Sequence, residues 1–225
     1  TPIAFPDVSY GFYPVYADFC HIPAHVIPLR DDFSVDPDDY ISLGMNIVLA
    51  NPNAPTGMAL PADEIERIVA SNPDSVVVID EAYVDFGAES CVPLIAKYDN
   101  LLVTQTFSKS RSLAGARLGF GIGSAPLIRD LAAIKYSVNP YNVNRMTQAA
   151  GAAAIDDNDY YMRSCAVIAE NRDYTARALR ALGFSVLPSK TNFIFAESPD
   201  IGGGALYRAL RARGVLVRHF EKERI

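Results

Sequence analysis

Val76-Val77-Val78-Ile79 is apolar at every position and runs straight into Asp80 and Glu81. A strand with one wet face alternates apolar and polar residues, whereas an unbroken apolar run is what a parallel strand buried on both faces carries. Asn46-Ile47-Val48-Leu49-Ala50 and Leu101 to Thr104 repeat the pattern, and Ile3 to Phe5, Val26 to Leu29 and Leu118 to Ile122 read as further strands. Between them lie helical patterns and polar turns: a helical turn around Tyr10 to Tyr16, a capped start at Asp36-Pro37-Asp38-Asp39, a proline-started helix from Pro61 to Ser71, and another from Ser124 to Tyr136. This alternation predicts an α/β fold, a mostly parallel sheet sandwiched by helices. Ligands of such sheets bind beyond the carboxyl ends of the strands, so Asp80 at the end of Val76–Ile79 is a site candidate; a cap or a solvated turn would place an acid there equally well.

The chain has 225 residues, half of them hydrophobic, which suffices for one large domain or a domain and a half. An alanine-rich helix from Val143 to Ile155 and a long helix from Tyr160 to Leu182 precede a change of character. Phe184 to Leu187, Asn192 to Ala196 and Val215 to Arg218 read as strands around a helix from Ala205 to Arg213, with Gly202-Gly203-Gly204 as a loop. The predicted division is a large domain, residues 1–155, and a smaller α+β unit, residues 156–225. Thr1-Pro2-Ile3-Ala4-Phe5 reads as the start of a buried strand and Glu221-Lys222-Glu223-Arg224-Ile225 as an uncapped stop, the pattern of a central fragment of a longer protein.

Composition removes several classes of function. A net charge of -6 without a basic cluster argues against nucleic acid or an anionic membrane as the main partner. Cys20, Cys91 and Cys165 form no CxxC pair and read as reduced core thiols of a cytoplasmic protein. His21 and His25 have helical metal-ligand spacing, but Pro23 between them breaks the helix this would need, so no metal is expected. No apolar run approaches the roughly 18 residues of a membrane span.

Chemistry gathers at Thr106-Phe107-Ser108-Lys109-Ser110, followed by Arg117. A lysine kept partly neutral is a nucleophile that condenses with carbonyl cofactors, and hydroxyls with an arginine are what a cofactor phosphate needs. A surface loop with two ordinary cations is the plain alternative. Gly119, Gly121 and Gly123 do not form a dinucleotide fingerprint and mark close backbone approach instead. Tyr10, Phe12, Tyr13 and Tyr16 have the spacing of core aromatics, three of the four being assigned to the core on spacing alone.

Taken in order, Phe5-Pro6-Asp7-Val8-Ser9-Tyr10-Gly11-Phe12-Tyr13, Asn51-Pro52-Asn53-Ala54-Pro55-Thr56-Gly57, Asp80-Glu81-Ala82-Tyr83-Val84-Asp85-Phe86, Thr106-Phe107-Ser108-Lys109, Arg117-Leu118-Gly119-Phe120-Gly121, Pro140-Tyr141-Asn142-Val143-Asn144 and Thr191-Asn192-Phe193 resemble the pyridoxal-phosphate-dependent aminotransferases of fold type I, and within them the histidinol-phosphate aminotransferases. The resemblance spans nearly the whole chain and implies pyridoxal 5'-phosphate as cofactor. It implies Lys109 as the Schiff-base lysine and proton carrier, Asp80 facing the pyridine nitrogen, and Tyr83 on the 3' oxygen. By the same resemblance Tyr10 stacks on the ring, Thr106, Ser108 and Arg117 cup the phosphate, and Arg218 lies near the substrate phosphate.

The implied reaction is amino transfer from histidinol phosphate to 2-oxoglutarate in histidine biosynthesis, by a homodimer. A threonine-phosphate decarboxylase, another amino acid aminotransferase, or a cofactor-sensing domain of a transcription regulator would share most of these motifs. Two departures stand out. Ala54 occupies the place where the family usually has an asparagine, which leaves Tyr83 alone on the 3' oxygen or Asn53 as a substitute. Arg224 does not match the family's substrate-gripping terminal arginine, so the fragment itself is expected not to turn over.

Overall fold

The computed structural model describes residues 1–221 and 224–225. The predicted uncapped stop from Glu221 to Ile225 therefore lies partly, at Lys222 and Glu223, outside the described residues. The chain runs through β1 (Ile3–Pro6), α1 (Tyr13–Phe19), β2 (Ala24–Ile27), β3 (Asn46–Ala50), α2 (Ala62–Ser71), β4 (Val77–Asp80), β5 (Leu101–Thr106), β6 (Gly119–Gly123) and α3 (Ala125–Val138). Then come α4 (Arg145–Asp156), α5 (Asn158–Ala181), β7 (Ser185–Val186), β8 (Ala196–Glu197) and α6 (Gly203–Ala212).

Six strands form one sheet in the order β2-β1-β3-β4-β5-β6. The first five are mutually parallel, and β6 closes the edge antiparallel to β5. Successive side chains on a strand point to opposite faces, and the three central strands bury both. Ile47, Leu49, Val77, Ile79, Leu101 and Val103 lie on the face covered by Ile65, Ile68 and Val69 of α2. Phe5 and Val48 face the other way, against Tyr13 and Ala17 of α1, with Val78 packed on them. Each such side chain stabilises the fold by about 1.5–3 kcal/mol through burial.

α2 forms because its three apolar residues recur at helical spacing and Asp63 and Glu64 lie in its first turn, where a helix favours negative charge. It stops at Asn72, whose Nδ2 turns back to the Ile68 carbonyl and across to the Tyr40 carbonyl, both at 2.8 Å. In β6 the glycines reflect close approach, as expected: a Cβ on Gly119 would lie 2.9 Å from the Gln105 carbonyl oxygen. The start at Asp36 yields only a short 3-10 turn, Pro37–Tyr40, capped by Asp36 Oδ1 accepting from the Asp38 amide at 3.0 Å.

Several expectations need correction. Of the four clustered aromatics only Tyr13 is buried; Tyr10, Phe12 and Tyr16 are 46%, 49% and 56% exposed. The short helix α1 buries a single side, through Tyr13 and Ala17, and the neighbouring aromatics fall outside it. Cys91 and Cys165 are core residues, but Cys20 is exposed at the end of α1. Val215 to Arg218 is not a strand: its apolar residues are exposed, and no neighbouring strand among the described residues takes up its backbone groups, without which extended chain has no ladder to join. The other two strands of this unit shrink to a two-residue pair, Ser185 with Glu197 and Val186 with Ala196. Two of the three consecutive glycines open α6 rather than lying in the loop.

Candidate active site

The parallel register sets the site. Ala50 is paired with Asp80, and Asp80 with Thr104, so three strand ends stand side by side. The ladder continues one step past them, with the Asn51 amide donating to the Asp80 carbonyl at 2.9 Å and the Glu81 amide to the Thr104 carbonyl at 2.8 Å. The turn after β3, the Glu81–Tyr83 segment after β4 and the Lys109 loop after β5 therefore emerge together.

Alternation then splits the two acids. Asp80 points to the α1 face, where the Tyr13 hydroxyl donates to Oδ2 at 2.9 Å and the Ala82 amide to Oδ1 at 3.2 Å. Burial pushes the Asp80 carboxyl above its ordinary value, against the opposing pull of Tyr13, the Ala82 amide, Thr104 and the Lys109 cation. The Tyr13 phenol is pushed up in turn, by burial first and then by Asp80. Glu81 points the opposite way, 1% exposed, and accepts from Cys91 N at 2.5 Å, Ser90 Oγ at 2.7 Å and Gln105 Nε2 at 2.8 Å. Burial raises its carboxyl too, and the adjoining Cys91 thiol is pushed up to about 12 by burial and by Glu81. Glu81 is a strut between β4, β5 and the loop at Ser90; Asp80 is the acid that faces Lys109's side.

Lys109 is exposed, with Nζ 5.3 Å from the centroid of the Tyr83 ring. Phe193 meets the same ring edge-on, with centroids 5.1 Å apart. Tyr10 stacks on Phe12 and sets its edge against Tyr13, at 5.8 and 5.5 Å between centroids, so contacts run unbroken from Tyr10 through Tyr13 to Asp80. Thr106 Oγ1 accepts from the Ser108 amide at 3.0 Å and donates to the Leu118 carbonyl at 3.4 Å, which brings the Arg117 segment alongside. Arg117 itself is exposed, with φ +53°, and donates to the Ala114 carbonyl at 2.9 Å.

Other residues are placed elsewhere. The guanidinium of Arg218 lies 5.2 Å from the Phe220 ring, and no hydrogen bond or ion pair among the described residues links it to the Lys109 cluster. Arg224 is bound beside the ends of β1 and β2, donating to Asp7 Oδ2 and the Leu29 carbonyl at 3.1 Å and to the Arg30 carbonyl at 2.7 Å. Asn53, 3% exposed, donates to the Val8 carbonyl at 2.9 Å and to Thr56 at 3.1 Å and accepts from Ser9 at 2.8 Å; its amide holds the turn to the β1 loop. A groove of about 490 Å³ runs along β2, lined by His25, Arg30 and Asp39, and it shares no residue with the Lys109 cluster. Chemistry, not size, picks out the site.

Among the described residues no group of three His, Cys, Asp or Glu could hold a metal ion, and no helix is long and apolar enough to cross a membrane. Tyr13 is the Asp80 partner the sequence concealed. Its only signal was its place three residues after Tyr10, which a core aromatic shares.

The sequence model for aminotransferase class I and II matches residues 1–225. The chain belongs to the class I and II aminotransferases. Among relatives of this aminotransferase chain, histidinol-phosphate aminotransferase 1 of Bordetella parapertussis is 53% identical over 227 residues, covering 100% of this chain and 64% of that protein. The chain thus spans about 64% of the length of the curated relatives it matches. The histidinol-phosphate aminotransferase structure from Clostridium acetobutylicum superposes with a TM-score of 0.89 at 25% identity, over 96% of this chain and 67% of that one. That from Sinorhizobium meliloti, solved in complex with pyridoxal-5'-phosphate, gives 0.86 at 24% identity over 100% and 64%, a likeness of fold. The mostly parallel sheet with its covering helices is the fold of these enzymes.

Proposed function

We propose that the full-length protein is a pyridoxal-phosphate-dependent aminotransferase that transfers the amino group of histidinol phosphate to 2-oxoglutarate, giving imidazole acetol phosphate and glutamate in histidine biosynthesis. The observation that carries this reading is the Lys109 amine over the Tyr83 ring on the side that Asp80 faces, at the adjacent ends of two parallel strands. The names of relatives near 50% identity support the choice of substrate.

The donor set fits the cofactor. An acid, a phenol and an amine lie in one cluster, and two hydroxyl residues with an exposed arginine lie along the strand next to it. Asp80 would face the ring nitrogen, Tyr83 the 3' oxygen and Tyr10 the ring; Thr106, Ser108 and Arg117 would hold the phosphate, and Arg218 the phosphate of the substrate. When bound, pyridoxal phosphate supplies an aldehyde for condensation with amines and a ring that takes up the electrons released at the substrate α-carbon. Asp80 as a carboxylate favours a proton on the ring nitrogen. Tyr13, bonded to Oδ2, fixes the orientation of that carboxylate. Lys109 Nζ would take the proton from the substrate α-carbon as a general base and hold it for return. Tyr83, with Phe193 at its edge, keeps the amine against the ring plane.

The same reading includes two domains, residues 1–155 and 156–225, a homodimer and a cytoplasmic location. The division is supported by the absence, among the described residues, of any ladder joining β7 and β8 to the main sheet.

The test is borohydride reduction of full-length protein incubated with pyridoxal phosphate, with glutamate formation from histidinol phosphate and 2-oxoglutarate assayed in parallel. The label is expected on the peptide carrying Lys109. A label on Lys97, Lys135 or Lys190, or no glutamate from an intact folded chain, overturns the reading.

A further inference from the structure

Ser110, directly after Lys109, is buried although Lys109 is exposed. Its hydroxyl donates to Asp85 Oδ2 at 2.5 Å. Asp85 stands two residues past Tyr83, so this one bond joins the neighbours of the two groups whose closeness defines the site. A hydroxyl bonded to a carboxylate is short and stronger than a neutral pair, and both groups are costly to shield from water without each other.

The loop is gripped again on its far side. The guanidinium of Arg111 lies 3.8 Å over the centroid of Tyr161 on α5 and 5.8 Å from that of Phe107, and it donates to the Ala154 carbonyl on α4. Tyr161 is 7% exposed, packed with Phe86 and Cys165, and its phenol is pushed up by burial and then by Asp85. Ser112 closes the loop in the left-handed region, φ +57°, a conformation that persists where the surroundings hold it. Between these anchors the backbone of Lys109 has little freedom left.

We infer that Asp85 is a positioning residue for Lys109: by holding the Ser110 hydroxyl it clasps the lysine loop to the Tyr83 segment and sets where the amine stands over that ring. Through Arg111 and Tyr161 the same clasp ties the lysine to α4 and α5. The inference rests on the reading of Lys109 as the reactive lysine, but its geometry exists without cofactor.

The full-length protein without cofactor is treated with acetic anhydride, and acetylation of Lys109 is followed by peptide mass spectrometry against Lys97, which is remote and paired with Glu66. Asp85→Asn and Ser110→Ala are each expected to shift the Lys109-to-Lys97 ratio in the same direction and to a similar extent, because each breaks the same hydrogen bond and moves the amine relative to the Tyr83 ring. The double variant should exceed neither, and Ser110→Thr should restore the wild-type ratio. With pyridoxal phosphate bound, the pH midpoint of the visible absorption band should move in the same two variants and return in Ser110→Thr. Unchanged ratios in variants with wild-type melting, or additive effects in the double variant, overturn the clasp. Should Asp85→Asn not fold, Ser110→Ala, which deletes one oxygen, decides alone. A borohydride label on another lysine would refute the proposed function, while the acetylation ratios would still judge the clasp.

Discussion

The two sides of the candidate site are built differently. On the ring side, Asp80 is held by Tyr13 and the Ala82 amide, and Glu81 behind it is locked by three donors. On the side proposed for the phosphate, Thr106 and Ser108 are half-buried, and Arg117 is exposed with one bond to a carbonyl three residues away. The first set is fixed by the fold before anything binds. In the second, Thr106 is tied to the Leu118 carbonyl and the Ser108 amide, while the exposed Arg117 guanidinium keeps donors open for an anion. A buried acid that must stay oriented needs its partners built in, whereas a phosphate brings its own charge and organises arginine on arrival.

The harshest way to break this contrast is to remove the organised acid. Asp80→Ala deletes the group that favours a protonated ring, so the single-turnover half reaction should slow by orders of magnitude while cofactor still binds through its phosphate. Equal single-turnover rates would show that the ring side does not do what its organisation suggests. Arg117→Ala probes the other side: cofactor affinity, measured by fluorescence titration, should fall by about 30-fold or more, the effect of losing a charge-assisted donor to an anion. The half reaction at saturating cofactor should change little, and a large fall there would erase the distinction between the sides.

The smallest effect sharpens the comparison. Tyr13→Phe removes a donor that opposes the burial-driven rise of Asp80, so the Asp80 carboxyl should titrate higher still in cofactor-free full-length protein, read by carbon NMR. The sign for stability follows. A carboxyl whose folded value is raised above an unfolded value of about 3.9 contributes fully below that pH, and its contribution is lost as pH rises through the folded value. Tyr13→Phe should therefore cost more stability at neutral pH than at pH 3, and an equal cost at both would remove Tyr13 from the ring side.

The central sheet was legible because its signal is local. Ile47 to Leu49, Val77 to Ile79 and Leu101 to Val103 are apolar regardless of what surrounds them, and burial on both faces allows little else. Lys109, Asp80 and Tyr83 were singled out only as an ordered set of motifs, since no single one distinguishes a site from a turn, and the structure brings the three near one another. What stayed hidden depends on pairing across the chain. Tyr13 acts through an acid 67 residues away, and Ser110 through one 25 residues away, and neither spacing leaves a pattern in sequence. Val215 to Val217 misled for the mirror reason: their side chains suit a strand, but a strand needs a neighbour, and a neighbour cannot be read from the residues themselves.

The alignment of Ala50, Asp80 and Thr104 also governs how the protein comes into being. Parallel neighbours cannot be joined by a hairpin; each pairing waits for a crossover of a dozen or more residues to close, at an entropic cost that contacts repay only afterwards. Such topologies fold slowly, and the nascent chain passes through states with secondary structure but unjoined strand ends. In those states the Asp80–Tyr83 segment and the Lys109 loop lie apart and present no common surface. A ligand that needs both segments can therefore bind only late in folding, after the strand ends have come together.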